Sequence, residues 1–297
     1  MIFEEPVVFH SQGVPLVGRF LRNSERTRPR APLVVCMGSW LTVKEQMAMT
    51  YARRLAELGY AAFVFDFSGF GESGGEPRQA ELPARKIQDI FAAVEFASTL
   101  SFVDPDNIAC LGICASAQYT LAALARGLRV RSFASVAGWY HDPDSIAPFY
   151  GGAAGVALRL GRARAALDRQ LAGELVLAPA YAEADERAGM HFRLDYYARP
   201  ERGALPQWKN QMAEMSWLYW LMFDGLDAAA RVDTPTLFVH ADGGAFPEHV
   251  RTVHSRLRGP KRLVWTEGSQ IDFYDQPPQL AVAIEAAKAW FDETLRA

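Results

Sequence analysis

Apolar residues along the chain fall into two alternating patterns. Short continuous runs at residues 33–37, 61–65, 108–112, 133–137, 235–240 and 261–265 offer little polar face, as expected of strands covered on both sides. Between them lie stretches with helical spacing at 44–58, closed by Gly59, at 84–100, opened by Pro83, and at 118–126, 247–257 and 278–295. Residues 6–9 and 16–21 flank Ser11-Gln12-Gly13 and read as a hairpin. The pattern predicts an α/β protein: an eight-stranded, mostly parallel sheet with helices on both faces. Catalytic groups in such a sheet gather at the carboxyl ends of its strands.

The alternation lapses over residues 140–230. This stretch is rich in Ala, Arg and aromatic residues, with helical stretches near 153–171 and 179–188. It predicts a helical lid inserted into a core of residues 1–139 and 231–297. Its aromatics, from Phe192 to Phe223, either line a substrate pocket or build the lid's own small core.

Composition narrows the partners. Half of the 297 residues are hydrophobic, enough for a sizeable core, and the net charge of −3 comes without a basic block, which argues against nucleic acid. No apolar run approaches the ~18 residues of a membrane span. Met1-Ile2-Phe3-Glu4-Glu5 lacks the basic-then-apolar order of a signal peptide. Cys36, Cys110 and Cys114 are too few for a disulfide framework, and their apolar settings fit a reducing, cytoplasmic location. They lack zinc spacing, so no metal is expected. The glycine-dense loop at 66–75 is not followed by Gly-Lys-Ser/Thr and lacks a Gly-x-Gly-x-x-Gly directly after its strand, so no nucleotide cofactor is expected either. The expected partner is a small-molecule acyl substrate, with a homodimer left open.

Candidate chemistry centres on Gly112-Ile113-Cys114-Ala115-Ser116. Strand, tight turn and helix form the setting of a nucleophile elbow, usually Gly-x-Ser-x-Gly, and Cys114 holds the nucleophile's place. The central residue of an elbow is strained, so small neighbours are needed. A helix N-terminus also favours a thiolate. The plainer alternative is a small core cysteine ahead of a helix.

The elbow is joined by residues 34–40, by Asp66-Phe67-Ser68-Gly69-Phe70-Gly71-Glu72-Ser73-Gly74-Gly75, by residues 235–240 and by Asp272-Phe273-Tyr274-Asp275. Together these resemble the α/β-hydrolase superfamily over nearly the whole chain, and within it the bacterial dienelactone-hydrolase-like and peptidase-like branch. The resemblance implies the order nucleophile, acid, histidine. Cys114 takes the first place and Asp242, two residues past His240, the second. Gln270 stands where the histidine belongs. It also implies an oxyanion hole from the amides of Ala115 and of Ser39 or Trp40. Glutamine takes up no proton at neutral pH, so the usual relay cannot run from residue 270. Three readings follow. His141, just past the run at 133–137, replaces the lost base, with Asp142 orienting it. Alternatively a thiolate acts without a base, while Gln270 orients a water or an acyl oxygen. The third is a silent site. The leading expectation is a cysteine-nucleophile hydrolase or acyltransferase for an ester, lactone or thioester with an apolar acyl part. The alternative is a catalytically silent protein of this fold that binds a small apolar ligand.

Overall fold

The computed structural model describes residues 1–295. A hairpin of β1 (Ile2–Ser11) and β2 (Val14–Asn23) comes first, turned at Gln12 and Gly13. Then follow β3 (Ala31–Met37), α1 (Met47–Glu57), β4 (Ala61–Phe65), α2 (Pro83–Ser98), β5 (Val103–Ile113), α3 (Ala115–Ala125) and β6 (Ser132–Val136). The stretch after β6 carries α4 (Pro143–Ile146), α5 (Gly152–Leu171), β7 (Leu177–Pro179), α6 (Asp195–Ala198), β8 (Gln211–Ala213) and α7 (Trp217–Trp220). The regular alternation resumes with β9 (Thr236–Gly243), α8 (Pro247–Arg256), β10 (Lys261–Ser269), α9 (Asp272–Asp275) and α10 (Pro277–Thr294).

Eight strands form one sheet in the order β1-β2-β4-β3-β5-β6-β9-β10. The β1–β2 and β2–β4 pairs are antiparallel and the rest are parallel, as the continuous apolar runs imply. Every residue of β4 and β6 is buried. Helix α1 turns Met47, Tyr51, Ala52 and Leu55 inward at helical spacing. Helix α3 is buried from Ala115 to Leu124, because it has no charged face to offer water. Helix α1 packs with α10 and α2 with α3. Right-handed crossovers place these two pairs on opposite faces of the sheet.

Parallel register sets up the site. Met37 pairs with Gly112, Ile113 with Val136, and Val136 with Val239. The segments leaving β3, β5, β6 and β9 therefore emerge side by side at one edge. The glycine-dense loop after β4 closes on its own carboxylate instead of a ligand. Asp66 accepts the Lys44 amide (2.8 Å), the Lys44 ammonium (2.7 Å) and the Glu72 amide (2.9 Å). A Cβ on Gly71, whose φ is +48°, would stand 2.2 Å from Asp66 Oδ2.

The inserted stretch differs from expectation in one part. Helix α5 forms where helical spacing predicts it, but residues 179–188 are not helical. Pro179 ends β7, which pairs with β8 in a separate two-stranded sheet. The Ala180 amide bonds to Asn210 O and its carbonyl to the Met190 amide, and Ala184 sits at φ +64°. Cross-strand partners thus take the backbone groups that alanine content would assign to a helix.

Candidate active site

Cys114 sits between β5 and α3 at φ +56°, ψ −121°, a strained position for a residue with a side chain. Two neighbours make the bend possible. At Gly112 a Cβ would lie 2.9 Å from Ala117 Cα, so only glycine fits beneath the helix start. Ser116 occupies the place where a glycine is usual, and its hydroxyl serves the turn. It lies 2.8 Å from Met37 O and 3.0 Å from Ile113 O, and accepts the Ile113 amide at 3.0 Å. The elbow is thereby tied to the end of β3, where the loop carrying Ser39 and Trp40 begins.

The thiol is only 4% exposed and faces a cavity of about 460 Å³. The walls are largely aromatic and aliphatic, with Trp40, Trp139, Phe149, Phe192, Trp220 and Phe246 prominent. Trp40 stacks on Trp220 at 4.5 Å between ring centres. None of the described lining residues is Asp, Glu, His, Lys or Arg. Burial pushes the Cys114 thiol up from its ordinary value. Hydrogen bonds from the Ser39 and Tyr274 hydroxyls and from the Ala115 and Trp40 amides oppose this and favour the thiolate only in part. Burial thus opposes the thiolate that the helix terminus was expected to favour.

The Trp40 and Ala115 amides face the sulfur, whereas the Ser39 amide donates to Met47 Sδ at 3.5 Å. Of Ser39 and Trp40, it is therefore Trp40 whose amide faces Cys114. Ser39 contributes its hydroxyl instead.

Gln270 is held on three sides. Its Oε1 accepts the Ala245 amide (2.8 Å), and its Nε2 donates to Ala137 O (2.7 Å) and to the Tyr274 hydroxyl (3.3 Å). A main-chain donor on one side and a main-chain acceptor on the other leave one amide orientation.

Two expected residues stand elsewhere. His141 is fully buried and does not line the cavity. Its Nδ1 accepts from Trp139 Nε1 (2.8 Å), so its Nε2 carries the hydrogen and donates to Trp220 O (2.9 Å). Burial lowers its pKa to about 4. Both ring nitrogens are engaged by these partners and neither faces the cavity. Asp142 does not orient it; its carboxylate caps α4 through the Ser145 amide at 2.8 Å. Asp242 also stands away from the cavity. Its side chain is 76% exposed and pairs with Arg251 at 3.2 Å, and Gly243 and Gly244 of the same turn line the cavity in its stead.

Tyr274, read only as part of the Asp272–Asp275 stretch, and Tyr197, one of the aromatics between Phe192 and Phe223, were given no site role of their own from the sequence, yet both line the cavity. The available signal for Tyr274 was its spacing of four from Gln270, which brings two side chains together across one helical turn. Tyr197 was visible only as one of the aromatics of its stretch. Among the described residues no cluster of three or more His, Cys, Asp or Glu side chains is placed to hold a metal ion, and no helix is long and apolar enough to cross a membrane.

Over 114 residues the chain is 42% identical to the uncharacterised YcjY of Escherichia coli K12, covering 35% of this chain but only 37% of that protein. It is 28% identical to PA2218 of Pseudomonas aeruginosa over 95% of this chain and 78% of that one. It is 31% identical to the acyltransferase drtE of Aspergillus calidoustus over 38% of this chain and 37% of the relative. Among solved structures, PA2218 superposes with a TM-score of 0.83 at 24% identity, covering 99% of this chain and 94% of that one. The α/β hydrolase GrgF from a Penicillium species gives 0.83 at 20% over 99% of both chains. A dienelactone hydrolase from Anabaena variabilis is more distant, at 0.58 and 13%, again over 99% of both. The fold is that of an α/β hydrolase. The sequence profile of the S15 peptidases matches residues 13–269 of the 297. The chain belongs to the X-Pro dipeptidyl-peptidase (S15) family.

Proposed function

We propose that the protein is a cysteine-dependent acyl-transfer enzyme, which takes an uncharged apolar acyl group from a thioester or activated ester onto Cys114. The observation that carries this reading is a thiol on a strained elbow, facing the Trp40 and Ala115 amides in a cavity without charged walls. Those amides are placed to stabilise a tetrahedral oxyanion. Segment 140–230 acts as the lid over this site, with Phe149, Tyr150, Phe192 and Trp220 in the wall. The acyltransferase name of a partial relative agrees with acyl transfer.

The missing base sets the substrate class. An amide's leaving amine is far more basic than a thiolate and must be protonated as it departs, and neither Gln270 nor the engaged His141 is an ionisable acid–base group at Cys114. The family's peptidase name is therefore not carried over. A thioester needs less, because the proton leaving the Cys114 thiol ends on the departing thiol. Rapid mixing with an acyl thioester tests the reading. The expected result is a burst of one thiol per chain in the wild type and none in Cys114→Ala. An equal burst in the variant contradicts it.

A second reading is supported by the burial of the thiol, which opposes its ionisation: a silent protein that holds a neutral apolar ligand in the same cavity. It gives ligand binding with no thiol release in either chain.

A further inference from the structure

Removing the histidine from a hydrolase site leaves the departing group without its proton. The polar atoms around Cys114 show what stands in that place. Four side chains with hydrogen-bonding groups, Ser39, Cys114, Gln270 and Tyr274, line the same part of the cavity and bond to one another. Gln270 has a single amide orientation, because the Ala245 amide must meet its oxygen and the Ala137 carbonyl its nitrogen. Its second N–H then faces the Tyr274 oxygen at 3.3 Å. That oxygen already receives one hydrogen bond from Gln270, and its remaining hydrogen-bonding capacity faces Cys114 and the Ser39 hydroxyl, 3.4 Å away, with either of which it can donate or accept. The ring cannot drift, since Tyr274 is fully buried against Tyr196 and Tyr197.

We propose that Tyr274 is a catalytic residue that relays the proton from the Cys114 thiol to the departing sulfur, and that Gln270 is the positioning residue that aims its hydroxyl. This deepens the acyl-transfer reading and rests on it. The step balances without a charged base. The Cys114 sulfur bonds to the acyl carbon as its hydrogen passes to the Tyr274 oxygen. The Tyr274 hydrogen passes to the leaving sulfur as the carbon–sulfur bond breaks. The products are acyl-Cys114, a free thiol and an unchanged tyrosine. No ionised phenol is needed, which suits a hydroxyl whose ionisation burial opposes.

A relay of this kind matters in proportion to how badly the leaving group needs a proton. The test compares S-ethyl and S-phenyl octanethioates, whose leaving thiols are respectively poor and good, by the mass of the acylated protein after mixing. With Tyr274→Phe, ethyl thioester acylation is expected to fall about a hundredfold, the lower end of general acid–base contributions, and phenyl thioester acylation less than about threefold. The phenyl ester also shows that the variant is folded. Gln270→Met is expected to shift the ethyl-to-phenyl ratio in the same direction. A merely structural residue would slow both esters alike. Equal loss on both esters, or no loss on either, overturns the relay while leaving acyl transfer standing. A wild type that is acylated by neither ester overturns both.

Discussion

At the scale of single residues, Cys114 is a nucleophile held back by its surroundings. Burial opposes the loss of its proton. Alkylation by iodoacetamide should therefore be slow at pH 7, and its midpoint should lie above the ~8.5 of an unperturbed thiol. A midpoint below that value would contradict the electrostatics described for the site. His141 makes the opposite kind of contribution. Its native pKa of about 4 lies below the ~6.5 expected when unfolded. As pH falls through 6.5 the unfolded chain gains a proton that the native state refuses, so stability is lost down to pH 4, by up to about 3 kcal/mol. Chemical denaturation of His141→Gln should show a shallower pH slope over that window than the wild type. An unchanged slope would mean that His141 titrates freely. These two residues also show what the sequence made legible. The elbow is local, so small residues around Cys114 betrayed it, and the missing histidine was visible as Gln270. Exposure is not local. Nothing near His141 announced that Trp139 and Trp220 occupy both of its nitrogens, nor that Asp242 points to water.

At the scale of elements, the β5–α3 junction is held by fit and by one hydroxyl. Gly112→Ala would force a Cβ to 2.9 Å from Ala117 Cα, where the helix backbone cannot yield. Overpacking of this kind costs about 1–3 kcal/mol, readable as a lower denaturant midpoint with an unchanged slope. Ser116→Ala removes the bond that ties the elbow to Met37 O, for a comparable loss of about 1–3 kcal/mol. A neutral Ser116→Ala would mean that the tie carries no strain from the turn. Strands and long helices followed directly from apolar periodicity, because buried parallel strands have no polar face to hide them. The failure at 179–188 has a clear cause. Its backbone partners, Met190 and Asn210, lie outside the window, so local propensity gave the wrong answer there.

At the scale of the whole molecule, the sheet edge supplies the thiol and amides while the insertion supplies most of the aromatic wall. A cavity without charged walls gives a charged acyl chain nothing to repay its lost hydration. Octanoyl thioesters should therefore acylate Cys114 at least tenfold faster than thioesters with a terminal carboxylate and equal length. Equal rates would show that the chain end stays in water. The central claim is that the acyl group becomes bonded to Cys114 itself. Its most direct measurement is peptide mapping by mass spectrometry after a brief exposure to octanoyl thioester. The account predicts the acyl mass on the peptide containing Cys114, at close to one group per chain, with Cys36 unmodified and no label in Cys114→Ala. Label spread over other residues, or an unmodified Cys114 in a protein that still releases thiol, would contradict it.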